Sequence, residues 1–331
     1  MSGIAFTPSS TGDDVRNVFT NACIGKTFLV TGASTGIGLE TARVLVSGNA
    51  SHVIITGLTE QEGQDAIAAI KTASGNDNPP LTYYILNLGS TESRHEVAAK
   101  ILNKFGHIDC LINNAGVLNP GPRKTTKDGL EISFGVNHLG TFHFTNQLLP
   151  LLRKNATQTN PSRIVNVASA GQCYFAPHEG IPFDNLNAEK KYNGWSCYGT
   201  SKLGVVLFTR ELQRRESANN IVCVAVHPGN VGGTNIATGM GLSQQLAMMA
   251  LVVRNQTVSQ FLKDTKLKTV IEGCATSLFC ALSPSIVGGG FYHDCTLSKG
   301  ELLHKKAGDV EMGLKLWEVT EKLISGLDSK Q

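Results

Sequence analysis

A β-branched apolar run, a glycine loop and a helix follow one another without a gap between residues 26 and 46, and this order constrains the fold more than any other feature. Lys26-Thr27-Phe28-Leu29-Val30-Thr31 reads as a buried strand. Gly32-Ala33-Ser34-Thr35-Gly36-Ile37-Gly38 comes next, and residues 39–46 carry a helical pattern. Glycines permit a tight turn and let an anion approach the backbone. A helix N-terminus then offers it N–H groups and a favourable dipole. With a strand before and a helix after, a nucleotide-phosphate site is favoured over a merely structural turn.

Strand and helix patterns keep alternating. Strands are predicted over 52–56, 81–88, 108–113, 163–168, 221–226 and 290–293. Helices are predicted over 61–73, 91–105, 126–152, 236–265 in part, 273–282 and 312–324. The expected fold is α/β: a single Rossmann-type doubly wound parallel sheet of about seven strands with helices on both faces. Ligands of such sheets lie outside the carboxyl ends of the strands. No repeat, low-complexity tract or linker divides the 331 residues, so 25–331 reads as one domain and 1–24 as an N-terminal arm.

Composition excludes several classes. The net charge is only +3 with no Lys/Arg-rich run, so no nucleic-acid partner is expected. The eight cysteines include no Cys-x-x-Cys pair, and His138 and His227 lack metal-ligand spacing, so no metal is expected. Residues 1–21 are polar and carry Asp13 and Asp14, which predicts neither an apolar leader nor a transmembrane anchor. A cytoplasmic, reducing location is the expectation.

Tyr198-Gly199-Thr200-Ser201-Lys202 opens an apolar helical stretch. Four residues apart on a helix, Tyr198 and Lys202 share one face. A free phenol titrates near ~10 and is a poor acid–base catalyst at neutral pH; an adjacent ammonium would lower that pKa. The pair would then act as general acid toward a carbonyl or general base toward an alcohol. The end of the second strand, where a dinucleotide fold meets the adenosine ribose, reads Thr56-Gly57-Leu58-Thr59-Glu60. An acid there selects the 2′-hydroxyl of NAD, and a basic residue the 2′-phosphate of NADP. Neither stands at the strand end itself, whereas Ser34, Thr35, Thr56 and Thr59 offer hydroxyls, so NADP is the expected cofactor and NAD the alternative.

These motifs, in this order, resemble the short-chain dehydrogenase/reductase family: residues 31–38, Asn113-Asn114-Ala115-Gly116, Ser169 with Tyr198 and Lys202, and Pro228-Gly229. Gly135-Val136-Asn137-His138-Leu139-Gly140, Phe183-Asp184-Asn185-Leu186-Asn187, residues 201–212 and Tyr292-His293-Asp294-Cys295 are similar to the retinol-dehydrogenase-like branch, which includes the WW-domain oxidoreductases. The resemblance implies that Tyr198 is the proton donor, that Ser169 polarises the substrate oxygen, and that Lys202 lowers the Tyr198 pKa and holds the nicotinamide ribose. It also implies that Asn137 holds a water linking Lys202 to solvent. Gly32, Ser34, Thr35, Gly36, Ile37 and Gly38 would carry the phosphates, and Asn87 and Leu88 would meet adenine. Asn114, Ala115, Gly116 and Val136 would meet the nearby ribose. Pro228, Gly229, Val231 and Thr234 would bracket the nicotinamide amide. Leu58 stands where the branch commonly has an Arg that reads a 2′-phosphate, and Asn87 where it has Asp.

In that family, residues 170–195 and 236–265 cover the substrate. Here they carry Tyr174, Phe175, Ile181, Phe183 and Trp195, then Met240, Met248, Met249 and Phe261 among others, which suits a lipophilic ketone, aldehyde or alcohol. The competing expectations are a cofactor-sensing scaffold and a reductase of polyketide or quinone-type metabolites. The intact Asn137, Ser169, Tyr198 and Lys202 weigh against the scaffold. Family members pair through the helices holding Asn137 and Tyr198, which implies a homodimer or homotetramer.

Overall fold

Seven strands of the sheet run parallel, and their order places the reversal of connection between β1 and β4. In a computed structural model that describes residues 5–232 and 267–329, the strands are β1 (Thr27–Val30), β2 (His52–Gly57), β3 (Leu81–Ile85), β4 (Cys110–Asn113), β5 (Ser162–Val167), β6 (Ile221–His227), β7 (Asn230–Val231), β8 (Leu267–Lys268), β9 (Phe291–His293) and β10 (Thr296–Leu297). The main sheet has the order β10-β9-β6-β5-β4-β1-β2-β3, with only β10 antiparallel, and β7 pairs with β8 separately. The sheet is thus the expected parallel array with one antiparallel edge strand added. Val30 pairs with Ile55 on one side and Ile112 on the other, so the glycine loop leaves the sheet at its switch point, where a ligand crevice forms.

Alternation along each central strand builds two apolar layers. Phe28, Val30, Val53, Ile55, Ile112 and Val165 face one side; Leu29, Ile54, Leu111 and Ile164 face the other. Burial on both faces explains why these strands are continuous apolar runs. The helices are α1 (Gly12–Val18), α2 (Gly36–Ser47), α3 (Glu60–Ser74), α4 (Thr91–Lys104), α5 (Thr141–Lys154), α6 (Gly171–Phe175), α7 (Gly194–Glu216), α8 (Val270–Gly273), α9 (Ala275–Leu282) and α10 (Val310–Asp328).

Two expectations change. The expected arm contains α1, closed by a Thr11–Asp14 capping box worth about 1 kcal/mol, with Val15 wholly buried. Asp13 ties it to α2 through Arg43 at 2.5 Å. The expected helix over 126–152 begins late: Thr125 bridges to Glu131, Phe134–Gly140 is a π-helix, and α5 follows. The buried Glu131 carboxylate accepts from the Phe134 N–H at 2.9 Å and so caps the new start. Finally, α10 covers the outer face of α7 and of the π-helix. Trp317 packs on Phe142 and Phe208 with ring centroids 4.6 and 5.8 Å apart, and Thr320 bonds His138 at 2.9 Å. This is the helix pair through which copies were expected to associate. Among the described residues, no helix is long and apolar enough to cross a membrane.

Candidate active site

The glycine loop is held from below by strand-end side chains. Asn114 donates its amide N–H groups to the carbonyls of Thr31 and Gly32, both at 2.9 Å. Thr31 Oγ1 accepts from the Ala115 N–H at 3.1 Å, and Thr56 Oγ1 from the Gly32 N–H at 3.2 Å. At Gly38 a side chain would come within 2.4 Å of both the Gly32 carbonyl and the Asn114 amide, so the close approach of α2 to the loop admits glycine alone. Thr35 makes no side-chain cap to α2, and the first turn holds no acid, whereas Thr59, Ser90, Asn193 and Asp309 cap α3, α4, α7 and α10. The start of α2 thus lacks both a cap from Thr35 and an acid in its first turn, features that would offset its dipole.

Ser169 lies just past the end of β5, and Tyr198 and Lys202 one turn apart on α7, which Asn193 caps. All three are buried. The crowded side of Gly171 locates Ser169 and Tyr198: a carbon there would be 3.0 Å from Tyr198 Cε1, 3.2 Å from Ser169 Oγ and 3.3 Å from Phe175 Cδ2. The Gly171 N–H donates to Ser169 Oγ at 3.0 Å, orienting the hydroxyl. At Gly116 the same position is 3.3 Å from both Asn137 Oδ1 and Lys202 Nζ, leaving a polar niche between them. The structure therefore brings Asn137, Ser169, Tyr198 and Lys202 together.

Two expected roles are modified. Burial holds the Tyr198 phenol above its usual pKa, and the compensating hydrogen bond comes from Ser169. Lys202 Nζ donates to the Val167 carbonyl at 2.7 Å and stands 5.9 Å from the Tyr198 ring centre, so it is not what sets the resting phenol. Burial also lowers the Lys202 ammonium to about 8, which still leaves it charged at neutral pH. The Asn137 side chain is fully engaged. Its Oδ1 accepts from the Val117 N–H at 2.8 Å, and its amide donates to the Val117 carbonyl and Ser201 Oγ, each at 2.9 Å. It clamps the chain after β4 to α7, and its place in a π-helix fits the frequent use of such turns at functional sites.

Val231 and Ile37 converge on Gly273 of α8, which brings β7 beside the glycine loop. Pro228 and Gly229 follow β6, and Lys268 lies against Gly229 while its Nζ pairs with Asp294 at 2.5 Å. Val136 lies beside Asn137 in the π-helix. Asn87 turns its Oδ1 to the Gly89 N–H at 2.9 Å, and the Leu88 carbonyl accepts from Arg94. Thr234 and residues 236–265 lie outside the described residues. Glu62, which the sequence reading passes over, reaches the end of β2: its Oε2 accepts from the Leu58 N–H at 2.8 Å and from Ser34 Oγ at 3.2 Å. The first turn of α3 thus brings a carboxylate to the end of β2, where the strand itself has no acid. The signal was Thr59-x-x-Glu62, which reads as a helix-capping box.

The family model described as short chain dehydrogenase matches residues 26–179 and 185–244. The chain belongs to the short-chain dehydrogenase family. Within it the chain is retinol-dehydrogenase-like: it is 36% identical to retinol dehydrogenase 14 of Mus musculus over 310 residues, covering 91% of this chain and 86% of that one. Retinol dehydrogenase 12 of Homo sapiens is 36% identical over 303 residues with the same shares covered. Among solved structures, a 7α-hydroxysteroid dehydrogenase complexed with NADH and 7-oxo glycochenodeoxycholic acid superposes with TM-score 0.60 at 20% identity, over 82% of this chain and 94% of that one. A short chain dehydrogenase of Salmonella enterica serovar Typhi gives 0.58 at 20% identity, over 83% and 98%. This member of the family is an oxidoreductase acting on CH–OH groups.

Proposed function

We propose that the protein interconverts a ketone or aldehyde with an alcohol on a lipophilic small molecule, using NAD(P)(H) and Tyr198 as general acid–base. The observation that carries this is the shared spot beside Gly171, where Ser169, Tyr198 and the apolar Phe175 meet within a turn of a buried lysine. Two features support a dinucleotide at the loop: Gly32 and Gly36 take the left-handed backbone conformation that glycine favours, and α2 begins with neither a side-chain cap from Thr35 nor an acid in its first turn. Gly32, Ser34, Thr35, Gly36, Ile37 and Gly38 would border its phosphates, and Pro228, Gly229 and Val231 its nicotinamide end. When bound, the nicotinamide gives or takes the hydride.

The protein groups handle the proton and the charge. Ser169 donates a hydrogen bond to the substrate oxygen, and Tyr198 delivers its phenolic proton to that oxygen as negative charge develops there. Lys202 balances the phenolate left behind. Asn137 Oδ1 and Lys202 Nζ both lie beside Gly116, so a water bound between them would return a proton to the lysine. In the alcohol direction the same groups act in reverse.

The Phe175–Trp195 ring pair, 5.1 Å between centroids, and relatives named for retinol support a lipophilic substrate. None of the eight cysteines forms a disulfide, which supports a reducing compartment such as the cytoplasm. Because α10 occupies the α7 and π-helix face, we infer a monomer at that face in place of the expected homodimer or homotetramer. The test is turnover by purified protein with NADH or NADPH and a panel of lipophilic carbonyls. Tyr198→Phe should lower kcat by about 10³-fold with coenzyme affinity nearly unchanged. Wild-type rates in that variant would remove Tyr198 from the role.

A further inference from the structure

At the end of β6 a buried histidine has nothing to bond. His227 is only 3% exposed, and among the described residues neither of its ring nitrogens has a hydrogen-bond partner. A buried polar group without a partner is costly, and a bound water or a chemical role is the usual reason one is retained. Side-chain alternation sets its surroundings. Val226 lies in the layer with Val30 and Val165, and Ala225 in the layer with Leu203 and Val206 of α7. His227, two residues after Ala225, therefore points to the α7 side of the sheet. Lys202 is on that helix, with its Nζ on the Val167 carbonyl, and Val167 pairs with Val226, the residue before His227. On the other side His227 pairs with His293 of β9, so the two imidazoles leave adjacent strands on one face. Asp294 follows, its carboxylate oxygens 3.7 Å from His293 Nδ1 and 2.5 Å from Lys268 Nζ, and both His293 and Asp294 are partly exposed. His227 thus stands between the active-site ammonium and a polar edge that reaches solvent. Burial, and after it the charges of His293, Lys268 and Lys202 against that of Asp294, lower its imidazole to about 3. The ring is therefore neutral at neutral pH, with one N–H and one lone pair.

We propose that His227 relays protons between Lys202 and the His293–Asp294 edge, through a water held on each ring nitrogen. The proposal rests on the general acid–base reading of Tyr198. When a carbonyl is reduced, the phenol gives its proton to the substrate oxygen and has to regain one from solvent. Lys202 supplies that proton through a bound water and is refilled in turn. A proton arriving from the edge bonds to the bare imidazole nitrogen while the opposite N–H gives its own toward Lys202. One proton moves inward for each one spent, and a flip of the ring restores the starting tautomer. In alcohol oxidation the same path runs outward. His227 acts through Lys202 and not on the substrate.

The test compares wild type with His227→Gln and His227→Phe, each shown to be folded by circular dichroism, in carbonyl reduction with the coenzyme and carbonyl that wild type turns over best. Glutamine keeps a donor and an acceptor but cannot exchange one proton for another, and phenylalanine removes both nitrogens. Both variants should lower kcat by about tenfold with KM nearly unchanged, and both should raise the solvent deuterium isotope effect on kcat. Wild-type kcat and isotope effect in His227→Gln overturn the relay, because a ring needed only for packing or hydrogen bonding would give that result. A second readout needs no turnover. Nuclear magnetic resonance of coenzyme-free wild type, labelled at the histidine ring nitrogens, should find His227 neutral at pH 7 and hydrogen-bonded at both nitrogens. A ring bonded at neither nitrogen overturns the water chain even where turnover is normal. Wild type that binds no coenzyme and reduces no carbonyl overturns the general acid–base reading and the relay with it.

Discussion

Replacing Lys202 by methionine should make the coenzyme-free protein more stable while it abolishes turnover. The ammonium is buried, and its hydrogen bond goes to the Val167 carbonyl, not to a carboxylate. Burial alone lowers its pKa from 10.5 to about 8. The sign follows from linkage: the unfolded chain holds this proton more tightly, so the native state is penalised at every pH below about 8. The penalty fades as pH climbs toward 10.5. That difference is worth roughly 3 kcal/mol at pH 7, at 1.36 kcal/mol per pH unit. Methionine removes the penalty and forgoes one hydrogen bond of about 1 kcal/mol, for a net gain of about 2 kcal/mol. At roughly 2 °C per kcal/mol in a chain of this size, Tm rises by about 4 °C. Scanning calorimetry without coenzyme at pH 7 and pH 9.5 reads the effect. Other titrations are common to both proteins and cancel in the difference, so the advantage of the variant should shrink below about 1 kcal/mol at the higher pH. Turnover should fall by at least about 10²-fold, because the phenolate loses its counter-charge. A variant less stable at pH 7, or an advantage that does not change with pH, would refute the reasoning.

Gly38→Ala should weaken coenzyme binding by roughly 10- to 100-fold, since the new methyl meets the Gly32 carbonyl and forces α2 away from the loop; titration of a variant shown to be folded by circular dichroism measures this. Trp317→Ala should lower stability by about 3–5 kcal/mol by opening the contact of α10 with Phe142 and Phe208, read as a drop in Tm. Light scattering of the wild type should give the mass of one chain, and a stable dimer that survives Trp317→Ala would show that α10 does not govern association.

What was legible in the chain was local. The strand, glycine loop and helix over 26–46 are contiguous in the chain, so residue type and order suffice to place these elements. Tyr198 and Lys202 share a face because a helix repeats every 3.6 residues. Where topology sets the environment, spacing misleads. Lys202 is four residues from Tyr198, but the end of β5 comes closer to its ammonium than the phenol does, so Val167 takes the hydrogen bond and burial sets both pKa values. Glu62 reads as half of a capping box, and only the pairing of β2 with β1 shows that its carboxylate borders Ser34. Phe208 of α7 is covered by Trp317 of α10, a contact between distant parts of the chain that no local pattern announces.

Asn137 shows how the two kinds of information combine. An amide within an apolar helical stretch has to find partners, and that much is visible from composition. Which partners it finds depends on the late helix start at Glu131 and on the π-helix, whose wider turn aims the side chain at Val117 and Ser201 at once. Both partners border the active site: Val117 continues the chain from Gly116, and Ser201 precedes Lys202. Loss of the amide would therefore release the loop after β4 and the lysine turn of α7 together. Asn137 thus fixes the distance between the chain after β4 and the Tyr198–Lys202 stretch of α7.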